Sequence, residues 1–222
     1  MIIPKRFNGP PDSGNGGYTA GLVAGQLAAP RDGGAAEVTL RVPPPLETEL
    51  SVISDNGGVV ARDGETVVAT ARSTTVSELV PAVSYEEATE VSRGYPGFLA
   101  HPFPTCYSCG PERDDGLRLF PGRLPDGRTA APLLVPDDVT TATVWAALDC
   151  PGGWTIGIEA RPYVLGRIAA RVDAVPTKGT RCVVTACLLE AEGRKAHVAS
   201  TLWPADGGEP YATARATWIA LR

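Results

Sequence analysis

One carboxylate stands out within an apolar, small-residue stretch of the sequence from Thr140 to Trp154. This stretch predicts a helix from about Thr141 to Asp149, stopped by the Pro-Gly-Gly at 151–153. Its apolar residues do not keep to one stripe, and a helix that is apolar on nearly all sides is buried on nearly all sides. A carboxylate that leaves water costs on the order of several kcal/mol unless it is paired, hydrogen-bonded or neutralised. Asp149 is therefore a candidate functional group. The alternative is that it faces solvent at the helix end or bonds nearby backbone.

The pair Cys106 and Cys109 has the spacing of half a zinc site or of a redox pair. A zinc site needs two more ligands, and His101 and Cys150 are the candidates that the sequence offers. There is no second Cys-x-x-Cys, and no thioredoxin-like strand precedes the motif. We therefore expect a structural or pocket-lining role for the pair, with neither a metal nor another cofactor. Metal binding by Cys106 and Cys109 is kept as a minor hypothesis.

The two histidines of the chain, His101 and His197, limit the nucleophilic mechanisms that are available. A Ser-His-Asp triad would need one of them, yet no Gly-x-Ser-x-Gly elbow is present. His197 falls inside a predicted strand, whereas His101 lies in a connector where it could line a pocket. The run from Gly14 to Gly16 superficially suggests a dinucleotide fingerprint, but Thr19 occupies the third glycine position and no parallel βαβ unit surrounds it.

Composition excludes several classes of partner. The chain has 222 residues, enough for one large domain or two small ones, and a net charge of −5 with acids and bases interleaved. No basic run favours nucleic-acid binding, and no apolar run reaches the roughly 20 residues that span a bilayer. Five cysteines without a signal-peptide layout indicate reduced thiols in a cytoplasmic protein. Cys182 and Cys187 fit a strand as small hydrophobic residues.

The remaining pattern is mostly that of strands. A second small-residue helix is predicted from Tyr18 to Ala29, closed by Pro30, and its glycines indicate close contact with a neighbouring sheet. A short helix near Tyr85 to Val91 interrupts a proline-rich stretch from 77 to 116, and Asn56-Gly57 marks a hairpin turn. Alternating or apolar runs predict strands at Glu37–Val42, Glu49–Ser54, Glu65–Val76, Leu117–Phe120, Thr129–Val135, Ile156–Ala160, Val164–Val172, Arg181–Leu188, Ala196–Leu202 and Tyr211–Leu221.

An internal repeat organises the chain. Ala69–Thr74 matches Ala212–Thr217 at five of six positions, and each copy ends its half of the sequence. Each half also carries a small-residue helix before its main strands. The alanines on one strand face have small side chains, so an alanine-rich helix can pack closely against them. The pattern predicts an α+β protein made by duplication, in which curved antiparallel sheet wraps a central helix twice.

This arrangement resembles the hot-dog fold, in two copies within one chain. The resemblance is to the thioesterase-like superfamily, and especially to the tandem (double) hot-dog of the bacterial acyl-CoA thioesterase II type. It implies a first hot-dog repeat over residues 1–92, a proline-rich connector over 93–116 and a second repeat over 117–222.

The resemblance also implies site residues. Trp145-Ala146-Ala147-Leu148-Asp149 looks like the helix that ends in the catalytic Asp of that family, so Asp149 would position and activate a water. The second polar residue of the family lies on the following strand, where Thr155 or Glu159 could stand. Its third, a Gln near the end of the last strand, falls near Thr217 or Trp218, neither of which is Gln.

In the first half, Asn15-Gly16-Gly17-Tyr18 resembles the Gly-Gly helix start of other hot-dog thioesterases. There, backbone N–H groups at the helix N-terminus polarise the thioester carbonyl, a role that free N–H groups and the helix dipole support. The acid of that family would fall near Ala24, so this half lacks it.

The function expected from the resemblance is that of an acyl-CoA thioesterase-like protein. Its partner would be acyl-CoA or another acyl thioester, held between the two halves beneath the connector by Asn15, Gly16, Gly17, His101 and Thr217. Two alternatives remain open: a non-catalytic binder of acyl-CoA or a lipid-like ligand, and an enoyl-CoA hydratase or dehydratase, which needs an Asp/His pair. A homodimer is open as well.

Overall fold

The computed structural model of the protein describes residues 1–28 and 34–221. This part of the chain contains three α-helices and two short 3₁₀ turns. The 3₁₀ turns are Lys5–Phe7 and Pro96–Phe98, and the α-helices are α1 (Gly16–Ala24), α2 (Tyr85–Ser92) and α3 (Thr141–Thr155). None of the helices in the described ranges has the length and apolar character needed to cross a membrane.

Ten strands of the described ranges form one continuous antiparallel sheet. They are β1 (Ala35–Leu40), β2 (Ser51–Asp55), β3 (Gly58–Asp63), β4 (Thr66–Thr74), β5 (Gly122–Arg123), β6 (Thr129–Leu134), β7 (Tyr163–Val172), β8 (Arg181–Glu192), β9 (Lys195–Pro204) and β10 (Ala212–Ala220). Their order across the sheet is β2-β3-β4-β1-β7-β10-β9-β8-β6-β5. The α+β class expected from the sequence is therefore confirmed.

Two buried helices lie against this sheet and against each other. Helix α1 packs on β1, β4 and β7, while α3 packs on β6 to β10. The repeated motif falls on two strands, with Ala69–Thr74 on β4 and Ala212–Thr217 on β10, one on each side of the adjacent strands β1 and β7. The alanines at 69, 71, 212, 214 and 216 are all buried, as predicted from the small residues on one face of each strand.

Helix α3 begins where the sequence predicts but ends six residues later than Asp149, at Thr155. At its start, the Thr140 hydroxyl accepts a hydrogen bond from the Thr143 N–H, and Thr143 bonds back to the Thr140 backbone. Residues from Ala142 through Trp154 are all buried. The prediction that Pro151-Gly152-Gly153 stops the helix is wrong.

Contacts from neighbouring segments hold α3 on both sides of Pro151. Proline removes one backbone hydrogen bond in a helix and crowds the carbonyl four residues before it. Here hydroxyl groups from neighbouring segments donate to carbonyls of this part of α3: Ser108 to Ala146, Ser200 to Leu148 and Thr129 to Pro151. The two glycines serve close packing, because a Cβ at Gly152 would lie 2.5 Å from Val198 and one at Gly153 would lie 2.9 Å from Trp218.

Helix α1 starts at an N-cap, where the Asn15 side chain accepts a hydrogen bond from the Tyr18 N–H at 2.8 Å. It ends at Ala24, whereas the predicted end at Ala29 and Pro30 lies outside the described residues. Two glycines of α1 mark a close approach to α3, while Gly16 approaches the sheet, where its Cβ would lie 2.8 Å from Leu165 Cδ2 on β7. A Cβ at Gly17 would lie 2.5 Å from the Trp145 carbonyl oxygen, and one at Gly21 would lie 2.6 Å from the Ala142 Cα.

Most predicted strands are present within a few residues of their expected bounds, and two are wrong. Residues 117–120 form no strand, because the N–H groups of Leu117 and Leu119 bond to the carbonyls of Tyr107 and Ser108 in the connector. Residues 156–160 form a turn in which Gly157 has a φ of 72°. The predicted helix at 85–91 is confirmed as α2, and the turn at Asn56-Gly57 joins β2 to β3.

Candidate functional site

A cavity of about 420 Å³ opens where the start of α1, the middle of α3 and the connector meet strands β7 and β10. Its wall is mainly apolar, with Phe103, Trp154, Ile158, Leu165 and Trp218 among the lining side chains. The connector borders the cavity, as the sequence analysis expected. The polar lining groups are few, and they include three of the predicted site residues, which are Asn15, His101 and Asp149.

Asp149 is a buried carboxylate in the wall of this cavity, with only 2% of its surface exposed. Its Oδ2 accepts a hydrogen bond from the Gly17 N–H at 2.9 Å, and its Oδ1 has no partner among the described residues. Burial raises the pKa of Asp149 to about 7, the Gly17 hydrogen bond lowers it, and the nearby Cys106 raises it. A carboxyl group in this state can take up or release a proton near neutral pH.

The N-terminus of α1 forms the wall next to Asp149. Its N–H groups are used in different ways: Gly17 donates to Asp149 and Tyr18 donates to the Asn15 side chain. The Gly16 N–H makes no hydrogen bond to the described residues, and Gly16 lines the cavity. The positive end of a helix thus meets the cavity with one free donor.

Three predicted site residues lie elsewhere. The Thr155 hydroxyl donates to the Gly152 carbonyl within α3, and Glu159 pairs with Arg123 in the turn that follows. Neither lies on a strand or lines the cavity, because α3 continues past Asp149 and no strand begins at 156. Thr217 points to the other face of β10, where its hydroxyl lies 3.2 Å from His197 Nδ1.

The residue after Thr217 does line the cavity. Side chains alternate along a strand, so Trp218 shares the inner face of β10 with Ala214 and Ala216. Its indole Nε1 is buried and has no acceptor among the described residues. The sequence offers Thr217 and Trp218 as the two candidates for this position, and strand alternation directs them to opposite faces of β10.

Three cysteines and one histidine meet at the connector side of the cavity. The sulfurs of Cys106, Cys109 and Cys150 all lie within 4.8 Å of one another, and none forms a disulfide. Cys106 Sγ lies 3.8 Å from Cys150 Sγ, and Cys109 Sγ lies 3.4 Å from His101 Nε2. The structure thus brings together the four side chains that the sequence analysis considered as ligands.

The three thiols differ in acidity. Hydrogen bonds from Cys109 and Cys150 hold the pKa of Cys106 well below its usual range, despite full burial. Burial raises the pKa of Cys109, and the hydrogen bond to Cys106 raises that of Cys150. Burial lowers the pKa of His101, because it disfavours the charged imidazolium.

Comparison with solved structures identifies the fold. The chain superposes on a hot-dog-fold protein of Alicyclobacillus acidocaldarius with a TM-score of 0.60 and 16% identity, covering 95% of this chain and 88% of that one. The tesB protein of Mycobacterium avium subsp. paratuberculosis gives a TM-score of 0.61 and 15% identity, covering 100% and 91%. Acyl-CoA thioesterase II TesB2 of Mycobacterium marinum gives 0.54 and 14%, covering 94% and 90%.

These likenesses establish that the chain has the hot-dog fold, as the resemblance in its sequence predicted. Matches of this kind extend over nearly the full length of both chains, so the likeness concerns the whole arrangement of sheet and helices. No protein-family model matches the sequence. No curated protein matches it either.

Proposed function

We propose that the protein hydrolyses an acyl thioester of the acyl-CoA type, with Asp149 as the group that activates water. The observation that carries this proposal is the state of the Asp149 carboxylate. It is buried in the wall of an apolar cavity, one oxygen is fixed by Gly17, and the other has no partner. A buried polar atom without a partner is rare where it serves structure alone.

The cavity supplies what the reaction needs on either side of this carboxylate. The free N–H of Gly16, at the positive end of α1, would donate to the thioester carbonyl oxygen. The apolar side chains of the wall would hold the acyl chain out of water.

The chemical steps follow from these two groups. Asp149 Oδ1 accepts a proton from water as the water oxygen attacks the carbonyl carbon, and negative charge develops on the carbonyl oxygen near Gly16. The tetrahedral intermediate then collapses with breakage of the carbon–sulfur bond. The leaving sulfur takes the proton from Asp149, which yields a carboxylic acid and a free thiol and restores the carboxylate.

We also infer that the chain is a tandem of two hot-dog repeats, residues 1–92 and 117–222, joined by the connector 93–116. Alignment of the two motif copies makes Arg72 the counterpart of Arg215, and their partners on the neighbouring strands are Glu37 and Ala169. Glu37 and Ala169 also pair with each other across β1 and β7. When a residue faces its own counterpart, a local twofold axis passes between the two, and this supports duplication of one unit.

A second candidate function is a non-catalytic binder of acyl-CoA or a lipid-like ligand. It is favoured by the positions of Thr155 and Glu159, which leave Asp149 without the second polar residue of the family. The hydratase alternative has less support, since both nitrogens of His101 are engaged with Cys109 and Phe103 in the wall.

Release of free thiol separates these functions. The purified protein is incubated with acyl-CoAs of increasing chain length, and the thiol is measured with a chromogenic disulfide while binding is followed by calorimetry. If the protein is a hydrolase, the rate of thiol release rises with the acyl-CoA concentration and then saturates. Binding of an acyl-CoA without thiol release above the uncatalysed rate would contradict it and favour the binder.

A further inference from the structure

The cluster of Cys106, Cys109 and Cys150 joins two distant parts of the chain. Cys106 and Cys109 belong to the connector, and Cys150 directly follows Asp149 in α3. All three thiols are buried, and all three line the cavity. In a tetrahedral zinc site with Zn–S bonds of about 2.3 Å, two sulfurs lie about 3.8 Å apart. The distance from Cys106 Sγ to Cys150 Sγ is 3.8 Å.

The backbone around Cys106 forms a tight turn. The Gly110 N–H donates to the Cys106 carbonyl at 2.8 Å, and the backbone of Ser108 and Cys109 helps to lower the pKa of the Cys106 thiol. A Cβ at Gly110 would lie 2.5 Å from the Cys106 nitrogen and from the Pro104 oxygen, so this turn requires glycine. N–H groups directed at sulfur stabilise a thiolate, which is the form that binds metal.

His101 supports the cluster through a hydrogen bond. Its Nδ1 accepts the Phe103 N–H at 2.9 Å, so the neutral imidazole carries its proton on Nε2. That nitrogen lies 3.4 Å from Cys109 Sγ, to which it donates. A ring nitrogen that carries a proton does not bind a metal, so His101 acts on Cys109 as an outer partner.

We propose that Cys106, Cys109 and Cys150 bind one Zn²⁺ ion through their three sulfurs, with the fourth coordination position open to the cavity. Three soft thiolate ligands select zinc over magnesium or calcium, which prefer oxygen. Three thiolates and one Zn²⁺ ion leave a net negative charge, which hydrogen-bond donors next to the sulfurs offset. They include the Asn15 amide, whose Nδ2 lies 3.7 Å from Cys106 Sγ.

A site with three protein ligands and one open position differs in character from a closed structural site. The open position belongs to the same cavity as Asp149, so a water or the sulfur of a bound thiol would complete the coordination. The metal site stands on the cysteine geometry alone and does not depend on the proposed hydrolysis.

Metal content tests the proposal directly. The full chain is purified under reducing conditions without chelator, and zinc is measured by mass spectrometry for wild type, Cys106→Ser, Cys150→Ser, His101→Gln and Cys187→Ser. Cys187 is the matched control, because it is a half-buried thiol of β8 outside the cluster. We expect about one zinc per chain in wild type, Cys187→Ser and His101→Gln, and loss of zinc in the two cluster variants.

Cobalt substitution of the wild-type protein gives a second readout that needs no variant to fold. Co²⁺ in the site should show thiolate-to-cobalt charge transfer in the near ultraviolet and the intense visible bands of tetrahedral coordination, unchanged in His101→Gln. Wild-type protein that contains no zinc and gives no thiolate–cobalt spectrum would overturn the proposal. Equal zinc in cluster variants and wild type would overturn it as well. Loss of zinc in His101→Gln would make His101 a ligand and overturn the open fourth position.

Discussion

The backbone N–H of Gly17 donates a hydrogen bond to Oδ2 of Asp149 at 2.9 Å, across 132 positions of the sequence. This contact joins the N-terminus of α1 to the middle of α3. It fixes one oxygen of a buried carboxylate and leaves the other without a partner. The positive end of α1 also supplies part of the charge compensation that a buried carboxylate needs. The two central helices are therefore held together by the same contact that prepares the candidate catalytic group.

The close approach at Gly17 predicts a large loss of stability for Gly17→Ala. The added Cβ would lie 2.5 Å from the Trp145 oxygen and 2.6 Å from the Asp149 Cβ, so the helices must separate. We expect the free energy of unfolding to fall by about 2 kcal/mol or more in chemical denaturation. Gly25→Ala is the control, since its nearest contact is 3.4 Å and its backbone is helical. It should be neutral or stabilise by about 0.5 kcal/mol. Equal losses in both variants would contradict the close helix contact.

The unpartnered indole of Trp218 predicts a contrast with Trp203. Trp203 Nε1 donates to the Val80 carbonyl at 2.9 Å, whereas Trp218 Nε1 has no acceptor among the described residues. Trp203→Phe should lower the free energy of unfolding by about 1 kcal/mol, because it removes one of the two hydrogen bonds to the Val80 carbonyl, the other coming from the Thr185 hydroxyl. Trp218→Phe removes no hydrogen bond, so it should lower the free energy of unfolding by less than Trp203→Phe does. Thermal and chemical unfolding of the two variants measure the difference, and a larger loss at Trp218 would contradict the assignment.

The direction of Thr217 predicts that it takes no part in the proposed reaction. Its hydroxyl meets His197 on the face of β10 opposite the cavity. Thr217→Val should therefore leave kcat and KM for thioester hydrolysis within about twofold of wild type, which is the range expected of a substitution outside the site. A tenfold fall in kcat/KM would place Thr217 in the site and contradict the orientation of β10.

The sequence predicted the strands well because alternation is a local signal. It placed β4 and β10 through the repeated motif, and the buried alanines followed from the same pattern. It failed at the end of α3, where Pro151 reads as a stop. The hydroxyls that donate to carbonyls of α3 around Pro151 come from Ser108, Ser200 and Thr129, which lie far away in the sequence.

That single error propagated into the candidate site. With the helix ended at Asp149, Thr155 and Glu159 fell on an expected strand, while the structure carries them past the cavity. The contact from Gly17 to Asp149 joins segments with no sequence signal for one another. The three cysteines of the cluster and His101 were named as candidates from residue type, but only tertiary packing brings Cys150 to Cys106.

Thiol release by Asp149→Asn tests the central claim most directly. The amide keeps the shape of the side chain but cannot accept a proton from water, and general base catalysis contributes about 100-fold or more. Asp137→Asn is the matched control, because it makes the same change at an exposed carboxylate. We predict that kcat for an acyl-CoA falls at least about 100-fold in Asp149→Asn and stays at the wild-type value in Asp137→Asn, with both proteins folded. A kcat of Asp149→Asn equal to that of the wild type would contradict the role of Asp149 as the group that activates water.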